Sequence, residues 1–383
     1  MSNIKTASRL NIFKEYVFSR LDKEVAKVEQ TNRKVLSFGS GNTDFPTNKV
    51  YLEKYCQEIK KNNAYLYPGF GANPKFSQSL INWFKKRFSV SLEKDELLPL
   101  LGAKDAVSHL PLALLNRGDE VLIPDPGYPA FSDPALMVGA KPIFYNLNKN
   151  NNFRISLTQL ENKVTKKTKF IWMNFPSNPT GATVTLEELK KIVEFARKHN
   201  LLVVYDNAYS EISFDDFTAP SILQIPGAKD FCVEIGSFSK TFSFAGFRMG
   251  WIVGNKQIIA ALAKVKSQMD SGLSTPLQNL GAYALDNFDK SWHKEMIASY
   301  KNRRDIIAGY LKKIGLEFDL PKAGLYIWAK IPSSEKSSEQ FVMKLLRARQ
   351  ILLTPGTAFG KNGEGFVRVS FCVNIDKIDK YFK

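Results

Sequence analysis

The chain of 383 residues is longer than one hydrophobic core usually serves, so we expect two domains packed together. Its apolar content of 44% is ordinary for a soluble globular protein. No apolar run reaches the roughly 18–20 residues that a membrane span needs, and the polar N-terminus shows no secretory signal. The net charge of +17 comes mostly from scattered lysines without a dense basic run, which argues against a nucleic-acid partner.

The chain begins with an amphipathic helix or arm over residues 8–30. From about residue 97, short apolar runs alternate with loops and helical patterns, which is typical of buried strands in a largely parallel sheet. The runs are Glu120–Pro124, Pro142–Leu147, Lys169–Phe175, Leu201–Tyr205, Phe231–Gly236 and Gly250–Val253. This alternation predicts an α/β fold with helices on both faces of the sheet.

The clearest helical pattern is Leu186–His199. Thr185 and Glu188 form a capping box at its start, and Asn200 suits its C-terminal end. Its apolar residues recur at helical spacing, so they lie on one face.

The pattern changes after about residue 281, where helical stretches and short strand-like segments indicate a smaller α+β domain. These segments are His293–Ile314, Leu325–Ile331, Ser338–Arg349 and Gly365–Phe371. We expect residues 1–46 to form an N-terminal arm and part of the small domain. Residues 47–281 are expected to form the large domain, and residues 282–383 the small C-terminal domain.

Polar side chains follow the predicted strands at the edge where open α/β sheets bind ligands. They comprise an acid, an amine, two phenols, an amide and an arginine: Asp206, Lys240, Tyr128, Tyr209, Asn178 and Arg248. Each is weak evidence alone, because an Asp at a strand end is usually a turn or cap residue and Ser-x-Ser-Lys is usually a polar loop. The combination carries the inference, because it supplies every part that one cofactor demands.

Four motifs occur in a fixed order along the chain: Asn178-Pro179-Thr180-Gly181, Asp206-x-x-Tyr209, Ser237-Phe238-Ser239-Lys240 with Gly246-Phe247-Arg248-Met249-Gly250 behind it, and Phe366-Val367-Arg368-Val369-Ser370. From about Arg9 to Phe382 the chain resembles the class I/II aminotransferases, which are fold-type I pyridoxal-phosphate enzymes. Within that family it is most similar to the subgroup of LL-diaminopimelate aminotransferases and related aspartate- or alanine-type enzymes. The stretches that carry this closer likeness are Arg9–Asp22, Gly102–Ala113, Val121–Pro129 and Asp206–Asp230.

The resemblance implies a mostly parallel seven-stranded sheet flanked by helices, with a smaller α+β domain beside it. It implies pyridoxal 5′-phosphate as the cofactor and no metal. The implied reaction moves an amino group between an α-amino acid and a 2-oxo acid, in a ping-pong mechanism through a Lys240 Schiff base. A cytoplasmic homodimer is expected, without a nucleic-acid or membrane partner.

The resemblance also assigns catalytic roles to individual residues. Lys240 would form the Schiff base and then carry a proton from the substrate Cα to the cofactor. Asp206 would keep the pyridine nitrogen protonated, while Tyr209 and Asn178 would hydrogen-bond the phenolic oxygen.

The remaining implied roles concern binding of the cofactor. The groups expected at the phosphate are Ser237, Ser239, Arg248, and the backbone N–H groups of Ala103 and Lys104 at a helix N-terminus. Tyr128 would stack on the ring. Tyr67 resembles a tyrosine that reaches the cofactor phosphate of the partner subunit, which would make the site complete only in a dimer.

Substrate contacts are expected from Gly41, Asn178, Tyr16 and Arg368. The planar guanidinium of Arg368 matches the two oxygens of the substrate α-carboxylate. Tyr16 resembles a tyrosine that closes over the substrate. The family usually has proline where this chain has Thr43.

The substrate and the reaction remain open between alternatives. Enzymes that act on LL-diaminopimelate carry an acidic residue soon after the phosphate-contacting tyrosine, whereas this chain has Pro68-Gly69-Phe70. Lys104 could instead meet a distal carboxylate, as in aspartate or glutamate, or Phe70, Tyr16 and Tyr128 could line an apolar pocket for aromatic or alanine-type side chains. A β-lyase on the same fold is the alternative reaction, and a non-enzymatic binding protein is the third hypothesis.

The three cysteines support the expected cellular location. Cys56, Cys232 and Cys372 are far apart, odd in number and outside any metal-ligand spacing. We therefore expect free thiols in a reducing cytoplasm.

Overall fold

The computed structural model describes residues 4–13, 17–30, 32–376 and 378–382, with the side chain of Phe18 left aside. The strands are β1 Leu36–Ser37, β2 Leu97–Leu100, β3 Glu120–Asp125, β4 Lys141–Asn146, β5 Thr168–Asn174, β6 Leu202–Asp206, β7 Cys232–Ser237, β8 Gly250–Gly254, β9 Tyr326–Lys330, β10 Ile351–Leu352, β11 Thr354–Pro355 and β12 Phe366–Ser370. The α-helices are α1 Val17–Glu29, α2 Lys49–Ile59, α3 Pro74–Phe88, α4 Ala103–Leu114, α5 Asp133–Met137, α6 Leu157–Glu161, α7 Leu186–His199, α8 Phe238–Thr241, α9 Lys256–Lys266, α10 Thr275–Asp286, α11 Lys290–Lys313 and α12 Ser338–Arg349.

A seven-stranded sheet in the order β2-β8-β7-β6-β5-β3-β4 forms the centre of the molecule. Strands β3 to β7 pair in parallel, whereas β8 runs antiparallel to both of its neighbours, β2 and β7. The expected mostly parallel α/β sheet is therefore confirmed. Six of its seven strands, β3 to β8, follow the predicted apolar runs of the sequence to within one or two residues at each end.

The central sheet is buried on both faces because its strands are apolar at successive positions. In β5, Phe170 and Trp172 point into one core, and Ile171 and Met173 point into the other. All four side chains are almost fully buried. Helices cover both faces, as the alternating pattern predicts.

Helix α7 has the bounds and the caps that its sequence predicts. The Thr185 backbone N–H donates to Glu188 Oε2 at 2.7 Å, and the Glu188 N–H donates to Thr185 Oγ1 at 3.2 Å. Asn200 ends the helix in the left-handed region at φ 50°. The capping box and the terminal asparagine therefore satisfy backbone groups that the helix itself leaves unpaired.

A separate apolar core lies where the two ends of the chain meet. It packs side chains of α1, α11 and α12 against a three-stranded antiparallel sheet in the order β11-β12-β9. Strand β1 pairs in parallel with β10, so that Leu36 lies opposite Ile351. Segments near both chain ends thus share one core.

The structure differs from the sequence interpretation at two places near the chain start and the sheet edge. Residues 8–30 contain a short 3₁₀ turn, Ser8–Ile12, followed by α1, in which Leu21 and Val28 are buried. Strand β2 is absent from the predicted runs, because four residues that include Pro99 give no detectable periodicity. Within the described ranges, no helix combines the length and the apolar character that a membrane span requires.

A buried ion network joins α4 to α9. Lys266 is 1% exposed, and its ammonium group pairs with Asp105 and, at 2.7 Å, with Asp270. Asp105 also accepts hydrogen bonds from the Leu101 N–H and from His109 Nδ1. Burial alone would raise the pKa of Asp105, but the bonds from His109 and Lys266 hold it below its usual value.

We expect Lys266→Met to lower the free energy of unfolding by about 3–5 kcal/mol, because it leaves the Asp105 carboxylate buried without its main cation. Urea denaturation of the variant and the parent measures the difference. Lys264→Met is the matched control, because Lys264 lies on the same helix and is exposed; its effect should stay within about 0.5 kcal/mol. Equal stability of the two variants would contradict this account of the network.

Candidate active site

A cavity of about 540 Å³ opens at the carboxyl edge of the central sheet. Twelve of the predicted site residues line it: Gly41, Ala103, Lys104, Tyr128, Asn178, Asp206, Tyr209, Ser237, Ser239, Lys240, Arg248 and Arg368. Tyr67 does not line it and is 88% exposed at the surface. The predicted substrate contact Tyr16 lies outside the described residues.

The topology of the sheet explains why these residues converge. Strands β6 and β7 end at Asp206 and Ser237, and these ends lie side by side because the strands are parallel. Strand β8 runs the opposite way, so its first residues, rather than its last, reach the same edge. Arg248 therefore belongs to the site although it precedes its strand.

Lys240 lies in the short helix α8 that follows β7, with its amine inside the cavity. Its Nζ donates to the Gly41 carbonyl at 2.7 Å and lies 5.8 Å from the centre of the Tyr209 ring. Burial lowers the pKa of Lys240; Cys372 opposes this shift, and Arg368 and Arg248 reinforce it. A larger fraction of this amine is therefore neutral, and able to accept a proton, than of a surface lysine.

Asp206 is a buried carboxyl group at the end of β6. Burial raises its pKa to about 7, although the Ala208 N–H, which donates to Oδ1 at 3.2 Å, acts in the opposite direction. The Asn174 side chain donates to the Asp206 carbonyl at 3.0 Å and fixes the end of the strand. A cationic group next to this carboxyl would bring its pKa down again.

One end of the cavity is suited to an anion. Helix α4 begins there after Gly102, whose φ of 81° directs the chain into the helix. A Cβ at Gly102 would come within 2.7 Å of Arg248 Nη2, so the guanidinium lies directly against the helix start. Ser237 and Ser239 border the same cavity, and a helix N-terminus with an arginine and hydroxyl groups is a favourable phosphate site.

The other end of the cavity contains Arg368, which β12 carries. Its Nη1 donates to Asn178 Oδ1 at 2.9 Å, and its Nη2 donates to the Gly39 carbonyl at 2.6 Å. The guanidinium carbon lies 4.3 Å from the centre of the Tyr326 ring and 4.7 Å from that of Phe359. These contacts fix the plane of the group that a carboxylate would meet.

The formal charges around the cavity favour an anionic ligand. Lys104, Lys240, Arg248 and Arg368 line it, together with two carboxyl residues, Asp22 and Asp206. Within the described ranges, no carboxylate lies within ion-pair distance of Arg248. A ligand with more than one negative charge would balance this excess.

The loop that contains Gly41 is tied to the turn that carries Lys240. Thr43 Oγ1 donates to the Ser239 carbonyl at 2.9 Å, which is a bond that proline at this position could not make. The Tyr300 hydroxyl holds the next two residues of the loop. It donates to Asp44 Oδ1 and accepts from the backbone N–H groups of Asp44 and Phe45. Thr43 thus takes part in holding the loop against the lysine turn.

Other residues that line the cavity were not predicted from the sequence, among them Tyr326, Asn174 and Phe359. Asn174 and Tyr326 fell inside apolar runs that were interpreted as strands, so their polar ends carried no separate signal. Asn174 could have been found by the rule that placed Asp206, because it too is the last residue of a parallel strand. Phe359 lies in a short turn whose position depends on long-range packing.

The chain matches the family model "Aminotransferase class I and II" over residues 33–382. It is 39% identical over 374 residues to an LL-diaminopimelate aminotransferase of Aquifex aeolicus, covering 97% of this chain and 96% of the relative. Among solved structures, an apo-BacF structure from Bacillus subtilis superposes with a TM-score of 0.94 at 30% identity, covering 99% of this chain and 97% of that one. An aromatic aminotransferase from Pyrococcus horikoshii superposes with a TM-score of 0.86 at 29% identity, covering 94% and 96%.

These similarities agree with the resemblance that the four sequence motifs indicate, including the nearer likeness to the LL-diaminopimelate subgroup. They also agree with the fold, since the neighbours are fold-type I aminotransferases with the same α/β architecture. The chain belongs to the class I and II aminotransferases.

Proposed function

We propose that the chain transfers an amino group between an α-amino acid and a 2-oxo acid at this cavity, with pyridoxal 5′-phosphate as cofactor and Lys240 as the essential amine. The observation that carries the proposal is the buried Lys240 amine between an anion site and an arginine. One end of the cavity suits a phosphate and the other a carboxylate, so a substrate amine held between them would lie near Lys240.

The residues present fit pyridoxal phosphate. The N-terminus of α4, Arg248, Ser237 and Ser239 would hold the phosphate, and the lack of a carboxylate partner for Arg248 among the described residues supports this role. Asp206, whose buried carboxyl needs a cationic neighbour to ionise readily, suits the ring nitrogen. Tyr128 borders the cavity and would cover one face of the ring. When bound, the cofactor supplies an aldehyde for amines and a ring that withdraws electrons from the substrate Cα.

Lys240 would move the proton in this reaction. Its lowered pKa supports a neutral amine that accepts the proton from the substrate Cα and later returns it to a different carbon. The Gly41 carbonyl, 2.7 Å from Nζ, holds the side chain in the cavity. Tyr209 and Asn178 would donate hydrogen bonds to oxygen atoms of the bound groups.

Arg368 would bind the substrate α-carboxylate. Its hydrogen bonds to Asn178 and the Gly39 carbonyl hold the guanidinium in one orientation, so the side chain does not have to change rotamer when the carboxylate binds. Gly41 lines the same cavity, and its backbone would approach the carboxylate. Lysine would be a poor replacement, because it cannot form two parallel bonds.

The active form would be a homodimer. Tyr65, Leu66, Tyr67 and Phe70 form an exposed run of large apolar side chains, which is unusual for a surface that faces water. A second copy that covers this run would fit the predicted contact of Tyr67 with the cofactor phosphate of the partner subunit. The free thiols of the three cysteines support the expected location in a reducing cytoplasm.

LL-diaminopimelate is the first amino donor to test, because relatives at 34–39% identity bear that activity in their names. The segment after Tyr67 opposes it, since Pro68, Gly69 and Phe70 provide no acidic group for a second ammonium. Lys104 is exposed and borders the cavity, so it favours a donor with a distal carboxylate, such as aspartate or glutamate. The two candidate classes of donor therefore differ in the side-chain charge, which includes a second ammonium group in LL-diaminopimelate and is only a distal carboxylate in aspartate or glutamate.

We expect the pyridoxal-phosphate-loaded parent to be yellow, to lose its colour with particular amino acids, and to regain it with a 2-oxo acid. Lys240→Ala should lower turnover by about a thousandfold or more, because it removes the amine that carries the proton. Lys264→Ala, an exposed lysine outside the cavity, is the control. Full turnover in Lys240→Ala would refute the proposal, and ammonia release without any 2-oxo acid would indicate the β-lyase instead.

Asp206→Asn tests the buried carboxyl in the cofactor-free protein. The folded-state pKa of Asp206 is raised to about 7, so its contribution to stability is fully present below pH ~4 and is lost as the pH rises towards 7. The neutral amide avoids this loss. The variant should therefore gain stability relative to the parent as the pH rises from about 4 to 7, measured by thermal unfolding.

The same variant should behave differently once the cofactor is bound. It should retain cofactor binding better than turnover, with turnover lowered about a hundredfold or more, because the carboxylate no longer maintains the charge on the ring nitrogen. A stability difference that is flat with pH would refute the buried-carboxyl account. Parent-like turnover would refute the role of Asp206 at the ring.

A further inference from the structure

Tyr326 contacts three of the groups that the proposed reaction needs. It is the first residue of β9, is 3% exposed, and lines the cavity. It lies outside the four motifs of the sequence analysis. Its neighbours Tyr209, Arg368 and Gly41 come from three other parts of the chain.

The hydroxyl of Tyr326 lies 3.0 Å from the hydroxyl of Tyr209, and the bond between them is buried. The two rings meet edge to face with their centres 5.9 Å apart. If Tyr326 donates in this bond, the Tyr209 hydrogen remains available for an acceptor in the cavity. This arrangement lets both hydroxyl hydrogens be used when an oxygen-bearing ligand is bound.

The ring of Tyr326 lies against the Arg368 guanidinium, with the guanidinium carbon 4.3 Å from the ring centre. Phe359 lies 4.7 Å from the same carbon. Together with the hydrogen bonds to Asn178 and Gly39, these rings restrict the rotation of the guanidinium. The ring contact is a cation–π interaction in a buried setting, where such contacts are strongest.

Gly41 passes so close to Tyr326 that a Cβ on this residue would overlap the Tyr326 hydroxyl. The Gly41 carbonyl accepts the hydrogen bond from Lys240 Nζ. The tyrosine hydroxyl therefore limits how far the Gly41 loop can move towards β9.

We propose that Tyr326 is a positioning residue for transamination, with two separable parts. Its hydroxyl orients the Tyr209 phenol towards the bound cofactor, and its ring fixes the Arg368 guanidinium for the substrate carboxylate. The inference rests on the proposed function, because both partners act only if cofactor and amino acid bind in this cavity.

Two substitutions separate the parts. Tyr326→Phe removes the hydroxyl and keeps the ring, whereas Tyr326→Leu removes both. Tyr145→Phe is the matched control, because the Tyr145 hydroxyl also makes a buried hydrogen bond, to the Trp172 carbonyl at 2.7 Å, and does not line the cavity. A purely structural effect of losing a buried hydroxyl would appear in the control as well.

The first measurement is the visible absorbance of the pyridoxal-phosphate-loaded protein as a function of pH. Tyr326→Phe should shift the midpoint of this titration by about one pH unit and lower kcat by about tenfold, as expected for one hydrogen bond. Its KM for the amino acid should stay within about twofold, because the ring still holds Arg368. Tyr145→Phe should leave the midpoint and kcat unchanged.

The second measurement is the binding of propionate, a carboxylate without an amino group, followed by calorimetry. Tyr326→Leu should weaken this binding by about fivefold, which corresponds to the loss of one cation–π contact, while Tyr326→Phe should bind like the parent. If Tyr326→Leu does not fold, the contrast between the two Phe variants still decides the role of the hydroxyl.

Two outcomes overturn the inference. In one, Tyr326→Phe has the midpoint and kcat of the parent; in the other, Tyr145→Phe shows the same shifts. Both presuppose a parent that takes up the cofactor and is bleached by amino acids. A parent that does neither would instead refute the proposed function, so the two failures are distinguishable.

Discussion

The amine of Lys240 is buried near two guanidinium groups, and much of the surrounding structure follows from this arrangement. Burial and the positive charges of Arg368 and Arg248 make protonation of the amine costly. The Gly41 carbonyl offers the amine a neutral hydrogen-bond acceptor, which keeps the amine in place without neutralising the cavity. The excess positive charge is left for a ligand to balance.

The charged groups around the cavity come from both the central sheet and the antiparallel sheet. The end of the cavity that suits an anion belongs to the central sheet, through α4 and the turn after β7. The end that contains Arg368 belongs to the antiparallel sheet, because Arg368 lies in β12. The loop from Gly39 to Thr43 is hydrogen-bonded to both ends, through the Thr43 hydroxyl to Ser239 and through the Gly39 carbonyl to Arg368.

The central sheet and the strand-end residues were predictable because local patterns specify them. Apolar runs identified β3 to β8, and a capping box with a terminal asparagine identified α7. Asp206 and Lys240 followed from the rule that ligands bind beyond the carboxyl ends of parallel strands, and the motifs supplied their roles. Tyr326, the Thr43 bond and the Lys266 network were not predictable, because each depends on a partner more than 100 residues away, or on burial that no short window of sequence reveals.

The position of β8 in the sheet has a consequence for protein synthesis. Strand β2 pairs with β8, whose residues follow about 150 positions later in the chain, so β2 has no partner in the sheet until then. The start of α4 and Arg248 are separated in the same way. In a nascent chain the start of α4 therefore stays apart from Arg248 until most of the large sheet has been synthesised. Until β8 has been synthesised, the edge of the sheet at β7 stays open, and an unpaired strand edge of this kind can pair with another chain.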